Sequence, residues 1–206
     1  MSSAAAFHAG QLARNLLAGA RLALFLPLRG EAFRASPGQF ALLTLFNFAV
    51  WVATAGARTG FAGEFQPSAA GVFLANVALV LATAFLVAHA YRQPERLILV
   101  AVALSSADAL FDLLACAAVV AGAADHHAGA LYAGFIAWAW IASLRAAVVT
   151  CGWRAPGVYL AGFAVTAMTV LALAVIPDTD VWELPDDDED PMEAVIRLTT
   201  KSTREP

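Results

Sequence analysis

Five apolar runs, at about 37–57, 69–90, 97–122, 128–150 and 158–176, follow one another with only short polar breaks between them. Each is roughly 20 residues long, the length a helix needs to cross a hydrocarbon core. No water is available there to satisfy backbone N–H and C=O groups, so a spanning segment must be a helix or a strand of a closed barrel. The alternating apolar and polar residues of a barrel strand are absent from these runs. The expected fold is therefore all-α: a polytopic membrane helix bundle of five transmembrane helices. Bulk composition agrees, with 61% hydrophobic and 14% charged residues against about 25% charged in soluble domains.

The breaks carry helix punctuation. Ser36-Pro37-Gly38-Gln39 reads as a helix start, with Ser36 as N-cap, Pro37 in the first turn and Gln39 completing a capping box. Tyr91 to Arg96 is a tight polar loop that leaves room only for an antiparallel neighbour. Asp125-His126-His127 reads as a minimal turn with Asp125 as N-cap, and Cys151 to Gly157 as another turn.

Residues 1–35 precede the first run and hold an amphipathic helix over His8 to Leu24. At 100° per residue, Ala9, Leu12, Ala13, Leu16, Leu17, Ala20, Ala23 and Leu24 share one arc, with Leu22 an intruder among Arg14, Arg21, Gln11 and Asn15. A helix of this kind suits the membrane interface, with packing against the bundle as the alternative.

Charge divides the chain. Residues 1–176 carry 9 Arg and 6 acidic residues, whereas 177–206 carry 3 basic and 10 acidic ones. Arg14, Arg21, Arg29, Arg34, Arg92, Arg96, Arg145 and Arg154 fall on one side of a five-span layout, and Arg58 alone falls among the loops of the other. By the positive-inside bias the N-terminus is expected in the cytoplasm of a bacterial cell, with the protein in its inner membrane and the C-terminus periplasmic or extracellular. The tail, with Asp186-Asp187-Asp188-Glu189-Asp190, reads as acidic and largely disordered.

The third run carries the only acidic residues inside a span. Asp108 and Asp112 lie one helical turn apart, on an arc shared with Ala101, Ser105, Ala115 and Val119. A carboxylate near mid-span costs roughly 2.5–3.5 kcal/mol on insertion scales, so both should face protein or water. Arg145, in the fourth run, is the expected counter-charge. The leading expectation is a polar seam of Ser105, Asp108, Asp112 and Arg145 that fixes how the third and fourth spans pack. A proton or ion relay is the second.

Other chemistry finds little support. Cys116 and Cys151 lie toward opposite faces and have no Cys-x-x-Cys spacing, so they read as structural thiols. Adjacent histidines on a turn seldom present both rings to one metal. No nucleotide-binding loop, nucleophile elbow or zincin motif occurs. No catalytic residue, cofactor, metal or nucleic acid is expected. Ala130-x-x-x-Gly134 would allow close helix approach, in the bundle or in a homo-oligomer.

Residues 12–39 read LARNLLAGARLALFLPLRGEAFRASPGQ and lead directly into an apolar span. This arginine-rich lead-in, with the span layout over residues 12–180, resembles the membrane-embedded N-terminal region of bacterial proteins that carry a legumain-type cysteine peptidase domain. The five-span layout is also similar to that of Yip-type membrane proteins. The resemblance implies a peptidase domain after the last span. No His/Cys dyad is present to carry that chemistry, so the chain is expected to be a stand-alone relative, a truncated product or a fragment. The leading functional expectation is a non-enzymatic membrane scaffold, anchor or accessory subunit that meets the lipid bilayer and a protein partner, the latter through its acidic tail. The alternatives are the membrane domain of a legumain-like peptidase and a small proton- or ion-coupled transporter using the aspartate pair.

Overall fold

The computed structural model describes residues 3–58, 64–121, 124–175 and 182–183. Six α-helices make up almost all of it: α1 (Ser3–Ala23), α2 (Pro37–Arg58), α3 (Pro67–Ala90), α4 (Leu97–Val120), α5 (Ala124–Cys151) and α6 (Ala155–Val175). Four of them, α2 to α5, are long and apolar enough to cross a membrane. In α6 the described apolar stretch is shorter, Ala155–Leu171. The chain is thus an all-α membrane helix bundle.

Helix α4 is the hub. In its apolar stretch 56% of the residues are buried, against 17–28% in the other three. An unbroken buried run from Val100 to Ala107 explains how: small residues at 101, 103, 105, 106 and 107 let neighbours approach from several sides. Helices α1, α2, α3 and α5 all pack on it. The outward faces of the other helices stay apolar, with Leu45, Leu74, Phe85, Ile141, Tyr159 and Phe163 exposed, as a surface meant for lipid requires.

The expected punctuation is present in part. The Gln39 N–H donates to Ser36 Oγ at 3.1 Å, the N-cap bond. The Gln39 side chain does not close a capping box; its Nε2 donates to the His8 carbonyl of α1 at 3.4 Å. The three residues Asp125, His126 and His127 belong to the first turn of α5 rather than to a separate turn. The turn after α5 is only three residues long, 152–154, with Gly152 at φ +88°, a conformation that suits glycine.

At one end of the bundle the loop between α3 and α4 is tied to the end of α5. Gln93 Nε2 donates to the Cys151 carbonyl at 3.3 Å, and Arg96 Nη1 donates to the Thr150 carbonyl. Tyr91 is buried there with its ring against Gly157, where an added Cβ would meet the ring at 2.8 Å. At the opposite end a two-residue strand, β1 (Glu64–Phe65), pairs antiparallel with β2 (Trp182–Glu183). This pairing brings the chain beyond α6 beside the chain beyond α2. The rest of the acidic tail, including Asp186 to Asp190, lies outside the described residues.

Helix α1 docks on the bundle, and with a different face from the apolar arc. Asn15, Ala18, Gly19, Leu22 and Ala23 are buried, while Ala9, Ala13, Leu17 and Leu24 of the arc are exposed. The arc and the docking face overlap only at Leu12, Leu16 and Ala23, so α1 presents one face to α4 and another outward. Gly19 makes this possible, since a Cβ there would lie 2.1 Å from the Ser106 carbonyl oxygen of α4. Asn15 lies on the same face because its amide clasps the lead-in to α2. Its Oδ1 accepts from the Arg34 N–H at 2.7 Å and its Nδ2 donates to the Arg34 carbonyl at 3.1 Å.

The end of α1 is set deep in the bundle. Trp138 Nε1 donates to the Ala23 carbonyl at 2.8 Å, and Trp138 lies about 20 Å along α5 from its last residue at the helical rise per residue. The chain then reverses at Phe25, φ 57°. By Gly30 it has returned to the end of α5, where an added Cβ would meet the Val149 carbonyl oxygen at 2.8 Å. Residues 21–30 thus form a re-entrant turn that runs along the outer side of α5 and leaves by the same end, with Leu24, Phe25 and Leu26 exposed.

Candidate functional site

Ser105, Asp108 and Asp112 share one face of α4, as their spacing requires, and all three line a cavity of about 210 Å³. Thr44 and Asn47 of α2, Asn76 of α3 and Ala139 of α5 complete the wall with Phe40, Phe73, Phe111, Val77 and Val80. Both aspartates are half-buried. They therefore satisfy the requirement that an intramembrane carboxylate face protein or an internal space rather than lipid.

Each wall follows from the packing around α4. Asn47 reaches the site because its Nδ2 donates to the Ser105 carbonyl at 3.0 Å, pinning α2 against α4. That bond also fixes which way the amide lies, since only the NH₂ end can donate to a carbonyl. Its Oδ1 is left buried with no hydrogen-bond partner, on a residue only 8% exposed. On the α2–α3 side Phe73 packs edge-on to Phe48 at 5.0 Å between ring centroids. On the α4–α5 side Phe111 packs edge-on to Trp138 at 5.2 Å.

The expected counter-charge is elsewhere. The Arg145 guanidinium donates to the carbonyls of Arg21, Leu22 and Leu26 in the re-entrant turn, and lies 5.4 Å from the centroid of the Phe25 ring. No contact between Arg145 and either aspartate is present among the described residues, so the four-residue seam divides. Ser105, Asp108 and Asp112 stay together, and Arg145 serves α1. The physical reason is the C-terminus of α1, where the carbonyls of Arg21 and Leu22 each accept one backbone N–H, from Leu26 and Phe25, and keep a second lone pair at the negative end of the dipole. A planar fork of N–H donors meets several of them at once.

Sequence reasoning missed Thr44, Asn47 and Asn76. Each is an uncharged polar residue in an otherwise apolar run, and the two amides, Asn47 buried and Asn76 exposed, were the available signal, because an amide within a span needs a partner. The remaining candidates do not join the site. Cys116 is half-buried and Cys151 buried, both as free thiols. His89 is exposed and stacks on Phe85, and His8 is exposed beside Phe7. No group of three or more His, Cys, Asp or Glu that could hold a metal ion occurs among the described residues.

Chemically the cavity is rich in acceptors. Two carboxyl groups stand beside the side chains of Thr44, Asn76 and Ser105, and no cationic side chain lines the wall among the described residues. Such a lining can hold a proton between two carboxyl groups, or a cation.

No protein family, curated protein or solved structure matches this chain. The resemblance to the legumain-associated membrane region therefore rests on the quoted residues alone.

Proposed function

We propose that this protein is a small membrane carrier in which Asp108 and Asp112 bind a proton or a cation within the bundle and pass it across. One observation carries the reading: both aspartates line a polar cavity among four helices, and the arginine that would have neutralised them is engaged with α1. A purely structural seam would be expected to close its charges into an ion pair, because an unpaired intramembrane carboxylate is costly. Open carboxylates beside a cavity are the arrangement a relay or a cation site needs. This reading takes the place of the scaffold or accessory subunit as the leading one.

In the same reading α6 is a fifth crossing. Arg92, Arg96 and Arg154 mark the cytoplasmic face of a bacterial inner membrane, and β1 and β2 lie outside. The re-entrant turn then enters from the cytoplasmic side and closes the bundle against α5.

The test is flux in proteoliposomes that enclose a pH-sensitive dye, with an imposed proton gradient. The wild-type chain is expected to carry protons above the empty-liposome background. Asp108→Asn, which keeps the side-chain shape, is expected to abolish that flux while the purified variant keeps its elution volume and unfolding temperature. Flux unchanged in Asp108→Asn removes the relay. A wild-type chain that carries nothing, with a variant that unfolds, returns the aspartates to a structural role.

A further inference from the structure

The cavity holds more than a relay requires. We infer that its ligand is a small organic ammonium ion, a primary amine on a short apolar or aromatic body, an inference that rests on the carrier reading above and names its substrate class.

Space is the first reason. Protons pass along hydrogen-bonded groups and need no room of their own, and a dehydrated metal ion needs a close cage of oxygens. The cavity, at about 210 Å³, is larger than the roughly 150 Å³ apolar cavity that accepts a benzene ring. A ring-sized body with an aminomethyl group fits within it.

The wall chemistry is the second. Its polar side offers acceptors: the carboxyl groups of Asp108 and Asp112, beside the side chains of Thr44, Asn76 and Ser105. A primary ammonium carries three N–H donors and one positive charge, which suits two carboxyl groups on one wall. A quaternary ammonium has the charge without the donors, and an alcohol has a donor without the charge.

The apolar side is the third. Phe40, Phe73, Phe111, Val77 and Val80 supply nearly half of the lining residues. Small-ligand sites likewise join apolar walls to polar groups that set orientation, here with the polar groups holding the larger share. The aromatic faces also attract a cation electrostatically. A site for a bare inorganic ion has no use for them. Among the described residues only two carboxylates are grouped here, fewer than the oxygen cage of a divalent metal uses.

The probe is benzylammonium, added to the full chain in detergent and followed by calorimetry and by the unfolding temperature. Comparison ligands are benzyl alcohol, tetramethylammonium and sodium. Saturable benzylammonium binding is expected, at least tenfold tighter than benzyl alcohol or tetramethylammonium, and at least tenfold weaker in Asp108→Asn. Asn47→Leu tests the amide that pins this wall to α4 and Phe73→Leu the aromatic wall. Each is expected to weaken benzylammonium several-fold, and Phe73→Leu provides the check should Asn47→Leu fail to fold.

Sodium binding without benzylammonium binding would overturn the inference. So would equal affinity for benzylammonium and benzyl alcohol, which would make the cavity a plain apolar pocket. If no amine binds while Asp108-dependent proton flux persists, the ligand class falls and the carrier reading stands. If amine binding and flux are both absent in a folded chain, both fall.

Discussion

The guanidinium of Arg145 donates to the carbonyl of Leu22, tying the C-terminal part of α5 to the last turn of α1. Arg21 and Leu26 offer their carbonyls to the same group, so one side chain closes a helix end and the turn that follows it. In an apolar setting those carbonyls have no water to turn to, and the bonds are charge-assisted. Arg145→Lys keeps the charge and loses the planar fork, and Arg145→Leu loses both. The lysine variant is expected to lose part of the stabilisation and the leucine variant about 2 kcal/mol, the scale of hydrogen bonds to a charged group. The unfolding temperature checks the order. Maleimide labelling of a cysteine placed at the buried Leu22 should rise in both variants.

Gly19 controls how closely α1 approaches. A methyl group at this position would overlap the Ser106 carbonyl, which is backbone and cannot swing aside. Gly19→Ala should therefore push α1 off α4 and cost roughly 1–3 kcal/mol, the usual range for overpacking. Gly10 in the same helix is the control, since it is exposed and a Cβ added there would meet nothing within 4 Å. Gly10→Ala should stabilise slightly, by up to about 1 kcal/mol through helix propensity. Opposite shifts in unfolding temperature from the same substitution at two places in one helix would locate the contact; equal shifts would deny it.

Tyr91 is buried at the junction of α3, α5 and α6 with a hydroxyl that has no partner. Burial pushes its phenol above the ordinary tyrosine value, and the nearby Cys151 adds to this when ionised. The folded state then holds the phenol proton more tightly than the unfolded state does. Its contribution is intact below the ordinary tyrosine value, near pH 10, and is lost as the pH rises toward the folded value. Tyr91→Phe removes both the titration and the orphaned hydroxyl. At neutral pH it should leave stability unchanged or raise it, and it should flatten the loss of stability above about pH 10. Unfolding temperatures between about pH 8 and pH 11, on either side of the ordinary tyrosine value, measure both effects.

How far the fold was legible depended on which signal each part left in the residue types. Length and apolarity mark the spans directly, and the four-residue spacing of Asp108 and Asp112 places them on one face whatever surrounds them. The central place of α4 also has a trace, in its run of small residues. The partner of Arg145 had none. Among side chains the aspartates were the only opposite charges within a span, but the groups it meets are backbone carbonyls where α1 ends, and every residue carries one of those. Asn15 and Leu22 misled for a related reason. A helical wheel sorts residues by polarity, whereas the docking face of α1 was chosen by the glycine that fits Ser106 and by an amide whose partners lie in the lead-in to α2. Asn47 was visible as an amide in an apolar run, but its orphaned oxygen appears only once Ser105 has taken the other end.

The number of crossings can be decided by the pairing of β1 with β2. That ribbon places Glu64–Phe65, just beyond α2, beside Trp182–Glu183, just beyond α6. Two segments paired through their backbones lie on one side of the membrane, so reporters fused near residue 64 and after residue 206 must agree. The loop between α3 and α4 belongs to the opposite end, tied by Gln93 and Arg96 to the last residues of α5. A reporter in that loop must therefore disagree with the other two if α6 crosses. With the arginine-bearing end in the cytoplasm, alkaline phosphatase fusions near residue 64 and after residue 206 are expected to be active, and a fusion at Gln93 inactive. The reverse pattern would keep five crossings and invert the orientation. Agreement between Gln93 and residue 206 would mean that α6 does not cross, and that the ribbon cannot form as described.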